Sequence, residues 1–421
     1  MILAVGYFSG VIRANSVSAY TTFMFDLAVL GFYISLLIQP KQTTSTYSSI
    51  AITSWITALT LWPLFISAIP QNDPLVQFVA FRATAWFLPM IWIGSSLKAA
   101  DLRLIATSLA GLNLIALVFG VYEYFAGVEA IYPANAVTQI IYKSNSTAGF
   151  LRIPSTFLNA HAYGGTMACS LPLMLGGLLD SKGKQGERAW LLAGLIAACG
   201  GILLCAARQP IVVAILIFFI TWVLRGCSFG FGVGFASIIG IGAFLVSSND
   251  RLQRILSLKD SDQVSARIYA SVNENFLDIF VTYPFGAGMG SSAGTSVPYF
   301  LASRAPKRIG LENEYCRILV DQGWVGLLLW GMFLLWVHWP PPKRSRVGSN
   351  QTTIQVMYAM TLTTWATATI GSGLLAAVPG AVLLLIQMGY FVGQRDTDSR
   401  PSTAIKPPYK TKKSASPLNA R

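Results

Sequence analysis

Charge is what this sequence has least of. Only 11% of its 421 residues are Asp, Glu, Lys or Arg, against 54% hydrophobic, and the mean hydropathy is +0.57. A water-soluble domain carries roughly a quarter charged residues, so this chain could not cover its own surface in water. Histidine is scarcer still: His161 and His338 are the two present, and the topology derived below puts them on opposite faces, which argues against a histidine-based metal site. The cysteines (Cys169, Cys199, Cys205, Cys227 and Cys316) lie in or beside apolar runs without Cys-x-x-Cys spacing, the pattern of packing residues and not of a disulfide or zinc framework. In the loops placed outside below, the Asp-x-Asp pattern occurs once, at Asp260-Ser261-Asp262, and reads there as a helix cap. Metal-independent chemistry with no cofactor is the expectation. Ten-residue alternating segments are lacking, which sets aside an outer-membrane barrel. The opening MILAVGYFSGVIRANSV lacks a basic n-region, so it reads as a short first span or an interfacial helix, or as the remnant of a longer span, and not as a cleavable signal.

What is present is a series of apolar runs of about 18 to 23 residues, long enough to cross a hydrocarbon core of about 30 Å as helix. Spans are expected at 19–38, 48–69, 77–97, 104–126, 160–179, 189–206, 209–225, 228–247, 317–338, 352–372 and 373–393, with 1–16 as a possible twelfth. The formal charge of +13 comes from cations placed mainly in short loops and in the tail, a distribution that reads as topology and anionic-lipid contact and not as nucleic-acid binding. The basic segments 98–103, 180–188 and 339–351 and the tail all fall on one side of an alternating path, which the positive-inside rule makes cytoplasmic. Loops 127–159 and 248–316 then lie outside. Residues 1–393 form one transmembrane domain, and 394–421 are expected to be a disordered basic cytoplasmic tail.

The long outer loop carries a pattern of its own. Val264, Ile268, Val272, Phe276 and Phe280 repeat every four residues, and Arg267, Ser271, Glu274 and Asp278 form a polar stripe beside them. This predicts an amphipathic helix on the outer surface, ended by Pro284 and followed by the flexible Gly286, Gly288 and Gly290. The outer side also holds arginines against the positive-inside bias: Arg152, Arg208, Arg251, Arg254, Arg267, Arg304, Arg308 and Arg317. Arg208 sits in a short turn between two apolar runs, and an ionisable group so placed points to function. A guanidinium fork grips phosphate oxygens bidentately and keeps its proton; the bland alternative is an arginine snorkelling to lipid headgroups. Arg82, inside FVAFRATAWFLPM, is a snorkelling span end, a buried carboxylate partner or part of the site. Glu312 and Glu314 bracket Asn313 where the loop re-enters the membrane, at a depth that would suit a general base or simply decorate a helix N-terminus with acids.

With these residues in view, the chain resembles the O-antigen ligase and polysaccharide polymerase superfamily over roughly residues 75–335. The likeness rests on RIPSTFLNAHAYGGTMACSLPLML (152–175), the arginine turn around Arg208, SARIYASVNENFLDIFVTYPFGAGMG (265–290) and ENEYCRILVDQGWVGLLLW (312–330). The resemblance implies a GT-C-like bundle of about 11–12 helices in the bacterial cytoplasmic membrane, acting on its outer, periplasmic face. It implies an inverting glycosyltransferase that moves glycan from an undecaprenyl-pyrophosphate carrier to an acceptor sugar hydroxyl, with a chain-length regulator as a further partner. Family arginines that hold the pyrophosphate map to Arg208 and Arg267, with Arg152 third; Asn313 and Arg82 complete the expected binding set. The ligase branch has a histidine at the start of the late helix, where this chain has Glu312. That departure favours the polymerase and exopolysaccharide branches over ligation proper and makes Glu312 the candidate base. A transporter or flippase is the reading from another class, and a non-catalytic subunit of a glycan export complex is a third.

Overall fold

The computed structural model describes residues 1–38, 47–69, 71–142, 151–180, 185–248, 276–292, 297–306, 309, 313–342, 350–371, 375 and 377–399. Among them every regular element is helical. In chain order they are α1 (Ile2–Asn15), α2 (Ala19–Thr22), α3 (Met24–Ile38), α4 (Tyr47–Ser67), α5 (Pro74–Ala85), α6 (Pro89–Ser96), α7 (Ala99–Ala126) and α8 (Gln139–Tyr142). There follow α9 (Ala160–Asp180), α10 (Gln185–Leu204), α11 (Arg208–Leu224), α12 (Phe229–Ser247), α13 (Phe276–Thr282), α14 (Glu314–His338), α15 (Gln351–Thr367) and α16 (Gly380–Ser399). Each expected span corresponds to a helix or a helix pair. Seven spans are long and apolar enough to cross a bilayer, namely α4, the α5–α6 pair, α7, α9, α10, α12 and α14, and α3 and α11 are shorter apolar helices. The chain is an all-α polytopic membrane protein.

Local chemistry sets the helix ends. Asp73 accepts from the Leu75 N–H at 2.9 Å with Pro74 at the first helical position of α5, a pairing that satisfies one orphan donor and presets φ. Asp101 reaches back to the Lys98 N–H at 2.8 Å to start α7. The expected single span 77–97 divides into α5 and α6 because Pro89 opens α6 and offers no N–H to continue the ladder.

The most buried of these seven spans is α9. Of its most apolar stretch 78% is buried, against 11% for α12, which faces outward. Around α9 pack α7, α10, α11, α15 and α16, while α16 lies along α6. Glycines permit that last approach: a Cβ on Gly94 would stand 2.2 Å from the Ile386 carbonyl oxygen, and one on Gly393 would stand 2.5 Å from that of Ser95. Small residues are what lets helices in lipid, with little hydrophobic drive to associate, come close enough for dispersion contact.

The loops sort to two ends. Arg103 pairs with Glu187 at 3.1 Å, Asp180 accepts from the N–H and hydroxyl of Thr353 at 2.7 Å each, and Arg395 donates to the Trp336 carbonyl at 3.0 Å. These contacts gather residues 98–103, Asp180, residues 185–188, 336–342 and 350–353 at one end, as the shared charge of their segments predicted. At the opposite end the C-terminus of α1 meets the 131–157 loop, with Asn135 donating to the Ala14 carbonyl at 2.8 Å and Val11 to that of Thr156 at 3.3 Å.

The expected span 317–338 is interrupted in a different way. α14 breaks at Gly323, whose φ of 70° lies in the left-handed region and whose ψ is −173°. The glycine-rich segment after α13 fills the break: the Ala287 N–H donates to the Val320 carbonyl at 2.7 Å, and the Trp324 N–H donates to that of Pro284 at 2.9 Å. The Trp62 indole donates to the Gln322 carbonyl at 2.9 Å. Peptide groups freed at membrane depth need partners inside the protein, and this segment supplies them. The glycines expected to be a flexible turn are therefore a fitted plug. Of the predicted amphipathic helix, 276–282 is described as α13; Ile279 packs on Cys316, Leu319 and Val320 while Leu277 and Val281 are exposed. The stripe residues 264–275 lie outside the described residues.

A Cβ on Gly323 would stand 2.5 Å from the Phe285 carbonyl carbon, and the left-handed φ adds strain of about 1–3 kcal/mol for any other residue. Gly323→Ala is expected to lower the midpoint of thermal unfolding in detergent, whereas Gly331→Ala, where a Cβ meets open space, leaves it unchanged or slightly raised. Fluorescence-monitored melting of the two variants checks this.

Candidate active site

The segment 151–159 is held as tightly as a helix without being one. Ser155 adopts φ 54°, donates its N–H to a Glu123 carboxylate oxygen at 2.8 Å and its hydroxyl to the Ala116 carbonyl at 2.6 Å. The Tyr132 hydroxyl reaches the carbonyls of Ser155 and Phe157 at 2.6 and 2.7 Å. Burial, reinforced by the Glu123 carboxylate, pushes that hydroxyl well above the ordinary tyrosine range, so it stays protonated and donating. Asn159 accepts from the Ala162 N–H at 2.7 Å and starts α9. The result fixes Arg152, whose Nη1 stands 2.5 Å from His161 Nε2 at the first turn of α9.

Arg208 is the first residue of α11. The turn before it is forced by Ala206 at φ 48°. Cys205 of that turn packs against α9, where a Cβ on Gly164 would meet its Sγ at 2.4 Å, and it lies within electrostatic reach of Arg152. On the other flank Gln209 stands 3.5 Å from the Thr367 hydroxyl at the end of α15. Two residues earlier the Trp365 carbonyl accepts from the Tyr315 hydroxyl of α14 at 2.8 Å. A continuous path of contacts thus runs from Arg152 through the Arg208 turn and the end of α15 to the start of α14. The structure brings Arg152, Arg208 and Asn313 to one end of the bundle.

Asn313 caps α14, accepting from the Tyr315 and Cys316 N–H groups at 2.9 and 3.3 Å, and is only 4% exposed. Glu312 and Arg267 lie outside the described residues, as do Arg251, Arg254 and Arg308. Arg82 sits apart from the Arg152–Arg208 path: its Nε donates to Asp26 at 2.7 Å. Of the three readings open for it, the buried carboxylate partner is what the geometry shows. Arg304 stands 3.7 Å from Asp73. Among the described residues no three His, Cys, Asp or Glu gather as a metal site requires.

Sequence reasoning missed the ion cluster inside α14. Arg317, expected to face outward, is buried with its Nε 2.9 Å from Glu314 and its Nη1 3.7 Å from Asp321. Asp321 also accepts from the N–H and hydroxyl of Ser292 at 2.9 and 2.8 Å. The signal was legible in ENEYCRILVD, where positions 314, 317 and 321 share one helical face. The cluster ties the plug to the half-helix that presents Asn313.

Removing one partner of a buried pair leaves a bare charge and typically costs about 3–5 kcal/mol. Arg317→Ala removes the cation between Glu314 and Asp321 and is expected to reduce folded protein sharply, while Glu314→Gln/Arg317→Met/Asp321→Asn, which removes all three charges, recovers much of the loss. Resistance to unfolding by sodium dodecyl sulfate compares them.

The family model described as O-antigen ligase matches residues 193–331, a segment that runs from α10 through the break in α14 and holds Arg208 but not Arg152 or Arg82. No curated protein and no solved structure matches the chain. The family match falls on the arginine turn and the late helix that carried the resemblance, and it supports assigning this membrane protein to the O-antigen ligase and polysaccharide polymerase superfamily.

Proposed function

We propose that the protein is a glycan polymerase of the outer face of a bacterial cytoplasmic membrane, joining units from an undecaprenyl-pyrophosphate donor to an acceptor sugar hydroxyl. The observation that carries this reading is the convergence of Arg152, Arg208 and the N-terminus of α14 at the end of the bundle opposite its basic loops. Arg208 adds a fork to the positive end of a helix, where backbone N–H groups already favour phosphate. Arg152 and Arg267 contribute further forks. Together they stabilise charge developing on the departing carrier pyrophosphate.

Asn313, which precedes α14 and caps it, follows Glu312 directly in sequence. Glu312 takes the proton from the acceptor hydroxyl; the oxygen attacks the anomeric carbon opposite the breaking bond to pyrophosphate, which inverts that centre and needs no metal. Glutamate where the ligase branch has histidine favours polymerisation over ligation.

Arg208→Lys is expected to lose activity almost as fully as Arg208→Ala, by about 10²-fold or more, because an ammonium is a point charge without the planar fork. Glu312→Gln is expected to fall by about 10²–10⁴-fold. Polymer length on gels from cells carrying each variant in place of the parent gene measures both. Near-normal polymer from either variant overturns the role given to that residue.

A further inference from the structure

A second cationic centre lies on the other flank of α1, and the glycan-joining chemistry does not use it. Arg82 of α5 donates to one oxygen of Asp26 at 2.7 Å, while the other oxygen of Asp26 is buried without a hydrogen-bond partner. Arg13, near the end of α1, lies within electrostatic reach of Arg82, Asp26 and Tyr299, and its buried Nε meets no acceptor among the described residues. Among the described residues two guanidiniums lie around one buried carboxylate, so the centre is formally positive. An unbalanced charge at membrane depth calls for a counter-anion.

The surroundings indicate which anion. The Phe23 ring lies 5.4 Å from the Arg82 guanidinium, Phe300 lies 6.3 Å from Phe23, and Tyr299 lies 5.4 Å from Phe300. An aromatic path therefore leads from the outer loop to the arginine pair. Flat aromatic rings, one of them carrying a hydroxyl, suit the apolar face and polar rim of a sugar ring better than they suit a lipid headgroup. The other face of α1 packs on the loop that holds Arg152, where a Cβ on Gly10 would lie 2.1 Å from the Phe157 backbone. The helix is thus a shared wall between this centre and the proposed donor site.

We infer that Arg13 and Arg82, set around Asp26 and approached over Tyr299, form a subsite for the carboxylate of an acidic sugar in the acceptor glycan. The inference rests on the glycan-joining reading for the word acceptor, and the binding it claims is measured without any donor.

The test uses the full chain in nanodiscs of phosphatidylcholine, titrated with tetragalacturonate and, as the neutral comparator, galactotetraose. The acidic oligomer binds and the neutral one binds at least about tenfold more weakly, since the charge-assisted bonds are missing. Arg13→Gln weakens uronate binding by about tenfold or more on the same grounds. Asp26→Asn tightens it several-fold, because the resident carboxylate no longer competes, an effect that a purely structural ion pair would not produce. It is therefore the informative variant should Arg82→Gln fail to fold. Arg208→Lys leaves uronate affinity unchanged, so loss of polymer in that variant and loss of binding in Arg13→Gln report on separate readings. Equal affinity for the two oligomers overturns the proposal, as does an unchanged Arg13→Gln. Displacement of uronate by phosphatidylglycerol in the nanodisc overturns it in favour of a lipid headgroup.

Discussion

A peptide group inside a bilayer must find its hydrogen bond within the protein, and the break of α14 at Gly323 is where that constraint shapes this molecule. Once the helix stops, the carbonyl of Val320 and the N–H of Trp324 need outside partners. The backbone of residues 284–287 supplies both, and the Trp62 indole takes the Gln322 carbonyl. A segment that must enter a helix break has little freedom in how it leaves. The outer chain is thereby brought back against α14, and the half-helix from Glu314 to Gln322 is held at a fixed position relative to α13, α4 and the turn before α5. The placement of Asn313 at the mouth of the bundle follows from this.

Electrostatics divides the work among the arginines. Arg317 is enclosed by Glu314 and Asp321, which satisfy its charge inside the protein, and the cluster holds the plug through Ser292. Arg82 and Arg13 around Asp26 are formally positive. Arg152 leans on His161, its Nη1 standing 2.5 Å from the ring Nε2. Equal side chains have opposite uses because the neighbours set the net charge.

The expected spans were legible because apolar runs and charge counts act over twenty residues and tolerate small errors. The sorting of loops to two ends was legible for the same reason, and contacts such as Arg103–Glu187 and Asp180–Thr353 bear it out. What escaped the sequence depends on single residues meeting across the chain. Gly323 looks like any glycine in a membrane helix until residues 284–287 fill the space beside it. Arg317 looks like an outward cation until Asp321, one turn later, proves to be engaged with Ser292. Arg82 had three readings, and only the approach of α3 to α5 chose among them by delivering Asp26. The roles of Glu312 and Arg267 come from the resemblance alone.

The family match begins at residue 193, yet the candidate site draws on what precedes it. Arg152 reaches the mouth because Ala116 and Glu123 of α7, with Tyr132 beyond its end, bind a loop whose own backbone is strained at Ser155. Val11 and Gly10 of α1 close the other side of that loop. The matched segment therefore supplies the α11 terminus and the broken α14, and the earlier helices supply the wall facing them. A donor common to a family can be held by the first set, whereas glycans that differ between organisms must be told apart by groups free to vary. On this division α1, α3 and α5 are where acceptor specificity would be written, and the charge they bury is the first feature to compare among relatives.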